Sequence, residues 1–407
     1  MNLIYKTFLK NKIIVQILSY LWMGFQLIVA LILVFPVLSF IIYKIKGKKV
    51  FKPQVNAIND YGIIVTAYKY TGNLNNVIDS LLKLNHNRYI IYVVADDCEG
   101  YDYEKSDDRV VILHPPSVFK NQVKSHFYAI ENFKRNHNII TIIDSDNIVH
   151  PEYLNEIDIF FNLGFKAVQG VRKAKNFNSV YACLDAINEL YYLLYDRIIL
   201  FSIGSSSMLS GSGMAFTTEL YKECLGPLNT EGAGFDKVLQ NQILSRNLRI
   251  AFAENAIVYD EKTADPSQLV KQRARWNNTW FRYFKYSIQL MAKGIKNFSL
   301  NQFLYGFLLF RPPLFILIIL CLMITLANIF IDVNAVVIWI ALLAVFTFGF
   351  LNALVQLKAD ERLYRSLLFI PKFMFLQILS LMKAKKANEL SVATEHSYHK
   401  AAEEIEN

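Results

Sequence analysis

The chain has 407 residues, 54% of them hydrophobic, and its mean hydropathy is +0.26. This composition argues against a purely soluble protein and favours a soluble domain of ordinary size with added membrane segments. The formal net charge of +9 does not indicate a nucleic-acid partner, because the lysines cluster beside apolar runs, as at membrane flanks. The four cysteines lack CxxC spacing and a paired framework, so we expect reduced, packed thiols and no zinc site.

The first apolar run extends from Ile13 to Tyr43 and exceeds the ~20 residues that a membrane-spanning helix needs. A secretory signal peptide is the alternative, but the run is too long and lacks a small-residue cleavage site. The segment from Lys44 to Lys52 is more basic than the residues before the run. By the positive-inside rule, the domain that follows is cytoplasmic and the protein lies in the cell (inner or plasma) membrane.

The middle of the chain alternates between apolar strands and helical patterns, which predicts a parallel α/β sheet covered on both faces. In such sheets ligands bind beyond the carboxyl ends of the strands. Pro151 fits the first turn of the helix that follows the last of these strands. The predicted strands are Tyr61–Ala67, Tyr89–Ala95, Arg109–Leu113 and Ile139–Ile143, and the predicted helices are Leu74–Leu84 and Gln122–Lys134.

Acidic side chains follow two of these strands. YIIYVVADD ends in Asp96 and Asp97, and IITIIDSD ends in Asp144 and Asp146. Any one of them could be a loop or cap carboxylate, but two acidic strand ends in one sheet favour a site. Carboxylates at alternate positions can hold a divalent cation, which in turn binds phosphate oxygens. The pattern predicts an anionic, phosphate-bearing substrate.

The C-terminal part contains two further membrane segments, Pro313–Ile331 and Val336–Val355, with basic residues on both outer sides. They are predicted to leave the cytoplasm and return to it. A third segment, Leu367–Met382, is shorter and has basic flanks, so it is predicted to lie in the interface or re-enter. We divide the chain into 1–52 (membrane helix and basic flank), 53–265 (catalytic domain), 266–302 (polar and interfacial helices), 303–357 (membrane hairpin) and 358–407 (interfacial or re-entrant helix and tail).

Four motifs resemble those of the family-2 glycosyltransferases, in particular their membrane-bound branch related to cellulose and hyaluronan synthases. They are ADDCEG (Ala95–Gly100), DSD (Asp144–Asp146), GFDK (Gly234–Lys237) and QRARW (Gln272–Trp276). The resemblance covers about Gly62 to Tyr286 and the flanking membrane helices. It implies a glycosyltransferase-A (Rossmann-like) fold, a nucleotide-sugar donor and Mg²⁺ or Mn²⁺.

The resemblance assigns donor roles to five residues and the metal to a sixth. Asp146 is expected to be the principal metal ligand, and Asp144 to bind ribose or diphosphate. Asp96 is expected at the nucleoside, where Tyr68 could stack on the base. Lys124 and Arg275 are expected near the nucleotide and the diphosphate, although an exposed helical lysine is nearly as good a reading of Lys124.

The acceptor side carries the expected catalytic base, Asp236. The family usually has a Glu at the position of Phe235, so this segment holds a single carboxylate, and Glu231 is a nearby rival. Asp236 could instead stabilise the start of the helix Lys237–Arg246. Gly211 and Gly213 would let backbone approach a sugar.

A helix opened by Asp265 and Pro266 is predicted to carry Gln272, Arg275 and Trp276. The i, i+3, i+4 spacing places these three on one face. Gln272 and Trp276 are expected at the acceptor. The same segment could be a basic aromatic helix at the membrane surface, and both descriptions can hold.

We therefore expect an inverting transferase that moves a sugar, most simply from a UDP-sugar, to a growing polysaccharide or lipid-linked acceptor. One alternative is a non-processive enzyme that adds a single sugar to a lipid carrier or glycolipid. Another is a catalytically silent membrane component that binds nucleotide or polysaccharide. Expected partners are the donor, the acceptor and membrane lipid, with no nucleic acid; a homo-oligomer or secretion partner is left open. The tail Thr394–His396 resembles a gating segment of some relatives.

Overall fold

The computed structural model describes residues 2–47, 59–228 and 233–387. Its centre is one eight-stranded sheet with the strand order β3-β2-β1-β4-β7-β6-β8-β5. The strands are β1 (Tyr61–Tyr68), β2 (Tyr89–Asp96), β3 (Val110–Leu113), β4 (Ile139–Asp144), β5 (Ile148–Val149), β6 (Ala167–Ala174), β7 (Met214–Thr217) and β8 (Ala251–Asp260).

Helices surround the sheet and extend beyond it at both ends of the chain. Within the described residues they are α1 (Asn2–Lys46), α2 (Leu74–Leu82), α3 (Gln122–Glu131), α4 (Tyr153–Asn162), α5 (Val180–Tyr192), a π-helix (Leu193–Ile199), α6 (Leu200–Ser202), α7 (Thr218–Leu225), α8 (Phe235–Ser245), α9 (Pro266–Tyr283), α10 (Lys285–Lys296), α11 (Leu300–Phe310), α12 (Leu314–Ile331), α13 (Val333–Gln356), α14 (Glu361–Ser366) and α15 (Ile370–Lys383), with 3₁₀ turns at Leu367–Phe369 and Ala384–Lys386.

Both faces of the sheet are buried, as the nearly continuous apolar strands predict. Alternate side chains of one strand enter different cores: Ile63 and Val65 of β1 join one apolar cluster, and Ile64 joins the other. Each of these side chains has no exposed surface. The strands and helices predicted between Tyr61 and Ile143 are confirmed to within a few residues at their ends.

The sheet is mixed: the four predicted strands pair in parallel, but the expectation of a parallel sheet was wrong at β5, which is antiparallel to β8, and at β7. β7 pairs antiparallel with both β4 and β6, whereas β6 and β8 are parallel. After β6 the chain runs through α5, the π-helix and α6 and enters β7 beside the end of β4, where Met214 pairs with Ile142. β7 therefore starts at the edge where β4 ends and must run back.

Pro151 lies before α4 and does not open it, contrary to the sequence prediction. The helix begins at Tyr153 with Glu152 as its N-cap. β5 pairs with β8 and the N–H of His150 donates to the carbonyl of Ile257, so the chain first makes a turn at Pro151 and Glu152, in which the N–H of Tyr153 donates to the carbonyl of His150. This pairing delays the helix by two residues.

In the part of the chain that the structure describes, four helical segments are long and apolar enough to cross a membrane: Lys12–Lys46, Leu314–Ile331, Val333–Gln356 and Glu361–Lys383. The first three contain the segments that the sequence predicts as spans. α1, α12 and α13 share one apolar cluster that includes Leu33, Cys321 and Phe346. A polar network also joins them: Gln26 Oε1 accepts from Asn328 Nδ2 and from Trp339 Nε1, each at 2.6 Å.

The fourth segment packs against the polar helix α9. Asn277 Nδ2 donates to Ser380 Oγ over 2.9 Å, and Asn278 Nδ2 donates to the carbonyl of Ala384 over 2.9 Å. Residues of α15 and of the 3₁₀ turn that follows it thus hold the helix that carries the QRARW motif. Separately, all four cysteines are free and buried, as expected.

Candidate active site

The carboxyl edge of the sheet gathers the acidic strand ends. In the register of β1 with β2, Tyr68 pairs with Asp96, and in the register of β1 with β4, Thr66 pairs with Asp144. Because these strands are parallel and adjacent, their last residues lie at one edge. The sequence prediction that these residues share an edge is confirmed.

Asp96 anchors a loop at this edge. It is only 2% exposed. Its Oδ1 accepts from the N–H of Phe119 over 2.9 Å, and its Oδ2 accepts from the N–H of Lys120 over 2.7 Å. The carboxylate therefore shapes the loop that leads from β3 to α3, and its expected contact with a nucleoside stays a prediction.

Two other donor-side residues lie near this loop. Tyr68 is partly exposed, and Lys69 Nζ stands 5.6 Å from the centre of its ring. Lys124 is exposed in the first turn of α3, where its N–H donates to the side chain of Asn121. These positions leave both side chains available to solvent, and their expected contacts with a nucleotide stay predictions.

The DSD segment follows β4 directly. Asp144 is the last residue of the strand, and its carbonyl accepts from the N–H of Asn147 over 3.1 Å. Asp146 is 9% exposed. Asn147 Nδ2 donates to Asp146 Oδ1 over 3.0 Å, and Lys175 Nζ donates to the carbonyl of Asp146 over 2.9 Å. The segment is a tight turn held from two sides.

The loop Ser210–Gly213 lies against this turn. The N–H of Asp144 donates to Ser212 Oγ over 3.0 Å, and the N–H of Gly213 donates to the carbonyl of Ile142 over 2.9 Å. Gly211 and Gly213 have φ values of 89° and 64°, which glycine adopts without strain. A Cβ on Gly213 would also lie 3.1 Å from Val258 Cγ2. The two glycines bring this loop to the aspartates; their expected contact with an acceptor remains a prediction.

Buried charges at the ends of β6 and β8 complete the edge, and sequence reasoning missed them. Arg172 Nη1 donates to the carbonyl of Ser210 over 2.8 Å, and its Nη2 donates to Asp260. Lys262 Nζ lies 3.0 Å from the other oxygen of Asp260. Burial opposes the charge of Arg172, but Asp260, Glu189 and Asp144 outweigh burial and raise its pKa. The available signal was the pair of charged runs VRKAK and DEK, which lie at the ends of two strands that the sequence analysis did not predict.

Asp236 lies in the first turn of α8, and Gly234 is the N-cap. The side chain of Asp236 is 15% exposed, and its Oδ2 lies 3.2 Å from Lys237 Nζ. Burial raises the pKa of Tyr305, and the Asp236 charge adds to that rise. Asp236 is thus close to Tyr305 of α11 and to the N-terminus of α8. Glu231 and the tail Thr394–His396 lie outside the described residues.

α9 begins as predicted. Asp265 is its N-cap, and its carboxylate accepts from the N–H groups of Ser267 and Gln268, both at 2.9 Å. Thr263 Oγ1 donates to Gln272 Oε1 over 3.3 Å. These contacts fix the first two turns of the helix that carries the QRARW motif.

The QRARW motif contains a buried arginine, Arg273, which contacts a partly exposed tryptophan, Trp276. Trp276 is 44% exposed, and the guanidinium of Arg273 lies 4.2 Å from the centre of its ring. Arg273 is buried and pairs with Asp185 of α5. Burial lowers the pKa of Arg275. Arg273 thus fixes the orientation of Trp276, a role that sequence spacing did not indicate.

The family model described as "Glycosyltransferase like family 2" matches residues 59–279. The chain belongs to this glycosyltransferase family. The match spans β1 to α9 and so includes every element of the candidate site. It confirms the predicted family and enzyme class.

A solved structure shows the same fold. The glycosyltransferase is similar to the mannosyltransferase PcManGT from Pyrobaculum calidifontis in complex with GDP-Man and Mn²⁺, with 16% identity over 88% of this chain and 98% of that chain and a TM-score of 0.51. It is more distantly similar to S. aureus TarS in complex with UDP, with 14% identity over 81% of this chain and 90% of that chain and a TM-score of 0.41. Among curated protein sequences none matches. The glycosyltransferase-A fold with flanking apolar helices is confirmed.

The carboxylates at the sheet edge of the glycosyltransferase fit a divalent cation whose remaining ligands come from the substrate. Within residues 2–47, 59–228 and 233–387, no group of three or more His, Cys, Asp and Glu side chains could form a metal site by itself. Mg²⁺ and similar hard cations are commonly held by one or two carboxylates together with substrate phosphates. Asp144 and Asp146 offer that number of carboxylates at the sheet edge.

Proposed function

We propose that this glycosyltransferase is a membrane-bound inverting enzyme that transfers a sugar from a nucleotide-diphosphate sugar to an acceptor hydroxyl. The observation that carries the proposal is the position of Asp144 and Asp146 at the edge shared with Tyr68 and Asp96. A UDP-sugar is the first donor to test. The catalytic domain is proposed to face the cytoplasm, because lysines end α1 and the positive-inside rule applies to them.

On the donor side, Tyr68 is proposed to stack on the nucleobase, and Asp96 with its loop to bind the nucleoside. Lys124 lies on the helix that follows this loop and is proposed to approach the nucleotide. Asp146 is proposed to hold Mg²⁺ or Mn²⁺, with Asp144 at the ribose or diphosphate. A bound divalent ion would neutralise charge on the departing diphosphate. Arg275 is proposed to add a charge-assisted fork to the same group.

On the acceptor side, Asp236 is proposed as the general base. It takes the proton from the acceptor hydroxyl while that oxygen attacks the anomeric carbon, and the bond to the nucleoside diphosphate breaks on the opposite side. The half-exposed ring of Trp276 supplies a flat wall for a sugar, with Gln272 on the same helix face. Gly211 and Gly213 are proposed to let the loop backbone approach the acceptor.

The acceptor is proposed to be a growing polysaccharide or a lipid-linked molecule. One observation favours the alternative function, in which a non-processive enzyme adds a single sugar to a lipid carrier or glycolipid. Apolar side chains and the hydrogen-bond network around Gln26 fill the space between α1, α12 and α13. A conduit for a polysaccharide would then need a homo-oligomer or a secretion partner. A catalytically silent role would not require a general base such as Asp236 in addition to the metal-binding acids.

The test is a screen of UDP-, GDP- and dTDP-sugars against purified full-length protein, with nucleotide release as the readout. We expect release from one donor class, dependence on Mg²⁺ or Mn²⁺, and loss in Asp146→Asn. Chromatographic separation of products then distinguishes one added sugar from a chain. Failure to release nucleotide from every donor, with cellular glycans unchanged in Asp146→Asn, would favour the silent membrane component.

A further inference from the structure

Two buried side chains, Asn147 and Ser212, form a continuous hydrogen-bond relay between the two aspartates of the DSD segment. Ser212 Oγ accepts from the N–H of Asp144 over 3.0 Å and donates to Asn147 Oδ1 over 2.5 Å. Asn147 Nδ2 then donates to Asp146 Oδ1 over 3.0 Å. Ser212 is 0% exposed and Asn147 is 1% exposed. Solvent therefore does not compete for these bonds.

The chemistry of the groups fixes the direction of the relay. A carboxylate only accepts hydrogen bonds, so the amide nitrogen of Asn147 must face Asp146. The amide oxygen then faces Ser212, whose hydroxyl hydrogen is directed to it. A flipped amide would set its oxygen against the carboxylate. The orientation of one carboxylate oxygen of Asp146 is thus determined by Ser212, 66 positions along the chain.

The loop that carries Ser212 is itself held by Gln169 of β6, which is fully buried. Gln169 Nε2 donates to the carbonyls of Ser212 over 3.1 Å and Gly213 over 3.2 Å, and its Oε1 accepts from the N–H of Ser210 over 3.0 Å. On the other side of the turn, Lys175 Nζ holds the carbonyl of Asp146. The relay therefore rests on the sheet and is not a contact between two mobile side chains.

We propose that Ser212 and Asn147 are positioning residues that hold the Asp146 carboxylate in the orientation needed to bind the divalent cation together with a nucleoside diphosphate. The proposal rests on the proposed function, because it assigns the metal to Asp146. Residues that orient a metal ligand by hydrogen bonding commonly change metal affinity 10–100-fold when they are removed. Through the relay, the Ser210–Gly213 loop would therefore set the affinity of Asp146 for the cation.

The experiment measures Mn²⁺ binding to purified full-length protein by electron paramagnetic resonance, with UDP or GDP present and without sugar transfer. We expect Ser212→Ala and Asn147→Ala each to weaken Mn²⁺ binding by about 10–100-fold. Because both belong to one relay, the double variant should weaken binding no more than Asn147→Ala alone. In turnover assays, added Mn²⁺ should restore most of kcat.

Ser206→Ala is the matched control. Ser206 is also 0% exposed and makes two hydrogen bonds, to Asn301 Oδ1 over 2.7 Å and from the N–H of Ile250 over 3.0 Å, neither of which reaches the aspartates. It should lose stability without losing Mn²⁺ affinity. If Ser212→Ala does not fold, Asn147→Ser provides the same test at the other end of the relay.

Two failures are distinguishable. If the parent protein binds Mn²⁺ with a nucleoside diphosphate, Asp146→Asn abolishes that binding and both relay variants bind as the parent does, the positioning role is refuted and the proposed function stands. If the parent protein does not bind Mn²⁺ with either nucleotide, the assignment of the metal to Asp146 fails, and the relay proposal fails with it.

Discussion

The buried ion pair between Asp196 and Arg311 joins the π-helix to the segment that leads into α12. Asp196 is 1% exposed and Arg311 is 9% exposed, and Arg311 Nη2 donates to Asp196 Oδ2. The guanidinium also lies 5.7 Å from the ring centre of Tyr191 and 5.4 Å from that of Tyr192. Replacing the cation therefore tests how much this pair stabilises the packing of the π-helix against the segment before α12.

In Arg311→Met the carboxylate of Asp196 stays buried without its nearest cation. Removing one partner of a buried ion pair costs about 3–5 kcal/mol. With an unfolding entropy of about 2.1 cal/mol/K per residue and 407 residues, this loss lowers Tm by about 4–6 °C. The double variant Asp196→Leu/Arg311→Met removes both charges, and apolar replacement of a buried pair is often neutral or stabilising. It should recover most of the loss.

The loss of stability in Arg311→Met should depend on pH. Burial raises the pKa of Asp196, and Arg311 opposes that rise without cancelling it. A carboxyl group with a raised pKa in the folded state stabilises that state at low pH, and this contribution is lost as pH rises through the folded pKa. Without Arg311 the pKa rises further. The variant should therefore differ most from the parent at neutral pH and approach it on acidification.

The assay is thermal unfolding of full-length protein in detergent, followed by tryptophan fluorescence at several pH values. The control is Arg362→Met, which removes an arginine that is 59% exposed and paired with Asp360; such surface pairs contribute about 0–1 kcal/mol. If Arg311→Met behaves like Arg362→Met, or if the double variant is as unstable as the single one, the reasoning is refuted.

Three further predictions concern the site and the membrane helices. Asp146→Asn should abolish metal-dependent nucleotide binding in calorimetry, whereas Asp144→Asn should weaken it less selectively; equal losses would contradict the unequal roles. Asp236→Asn should lower kcat about 10²–10⁴-fold while nucleotide binding is retained. If the variant is fully active, another group is the general base. Gln26→Leu should cost about 1–2 kcal/mol in detergent unfolding, because Asn328 and Trp339 lose their acceptor. The control variant Gln16→Leu, at an exposed position of the same helix, should change the free energy of unfolding little.

The sequence predicts the local features of the fold well. Runs such as Tyr89–Ala95 and Ile139–Ile143 are apolar, aromatic or β-branched at every position, a pattern typical of a strand buried on both faces. Asp265 and Pro266 mark a helix start by local hydrogen bonding and a fixed φ. In both cases the determining contacts lie within a few residues, so the pattern contains the information.

Contacts between distant segments were not predictable in this way. Asn147 and Ser212 meet only because β7 runs antiparallel beside β4, and no local pattern predicts that direction. Arg172 and Asp260 come together through the pairing of β6 with β8. Asp96 has the right position, but its loop partners at Phe119 and Lys120 depend on how the chain returns from β3.

The contact of α15 with α9 has a consequence for the order in which the protein is made. α15 follows α12 and α13 in the chain, yet Ser380 and Ala384 bind the asparagines of α9. A ribosome that has just finished α9 therefore leaves that helix uncovered until two apolar helices have also emerged. Only after α12 and α13 have been made can α15 pack against α9. The contacts that hold α9 are therefore completed only when the last apolar helices of the transferase have been synthesised.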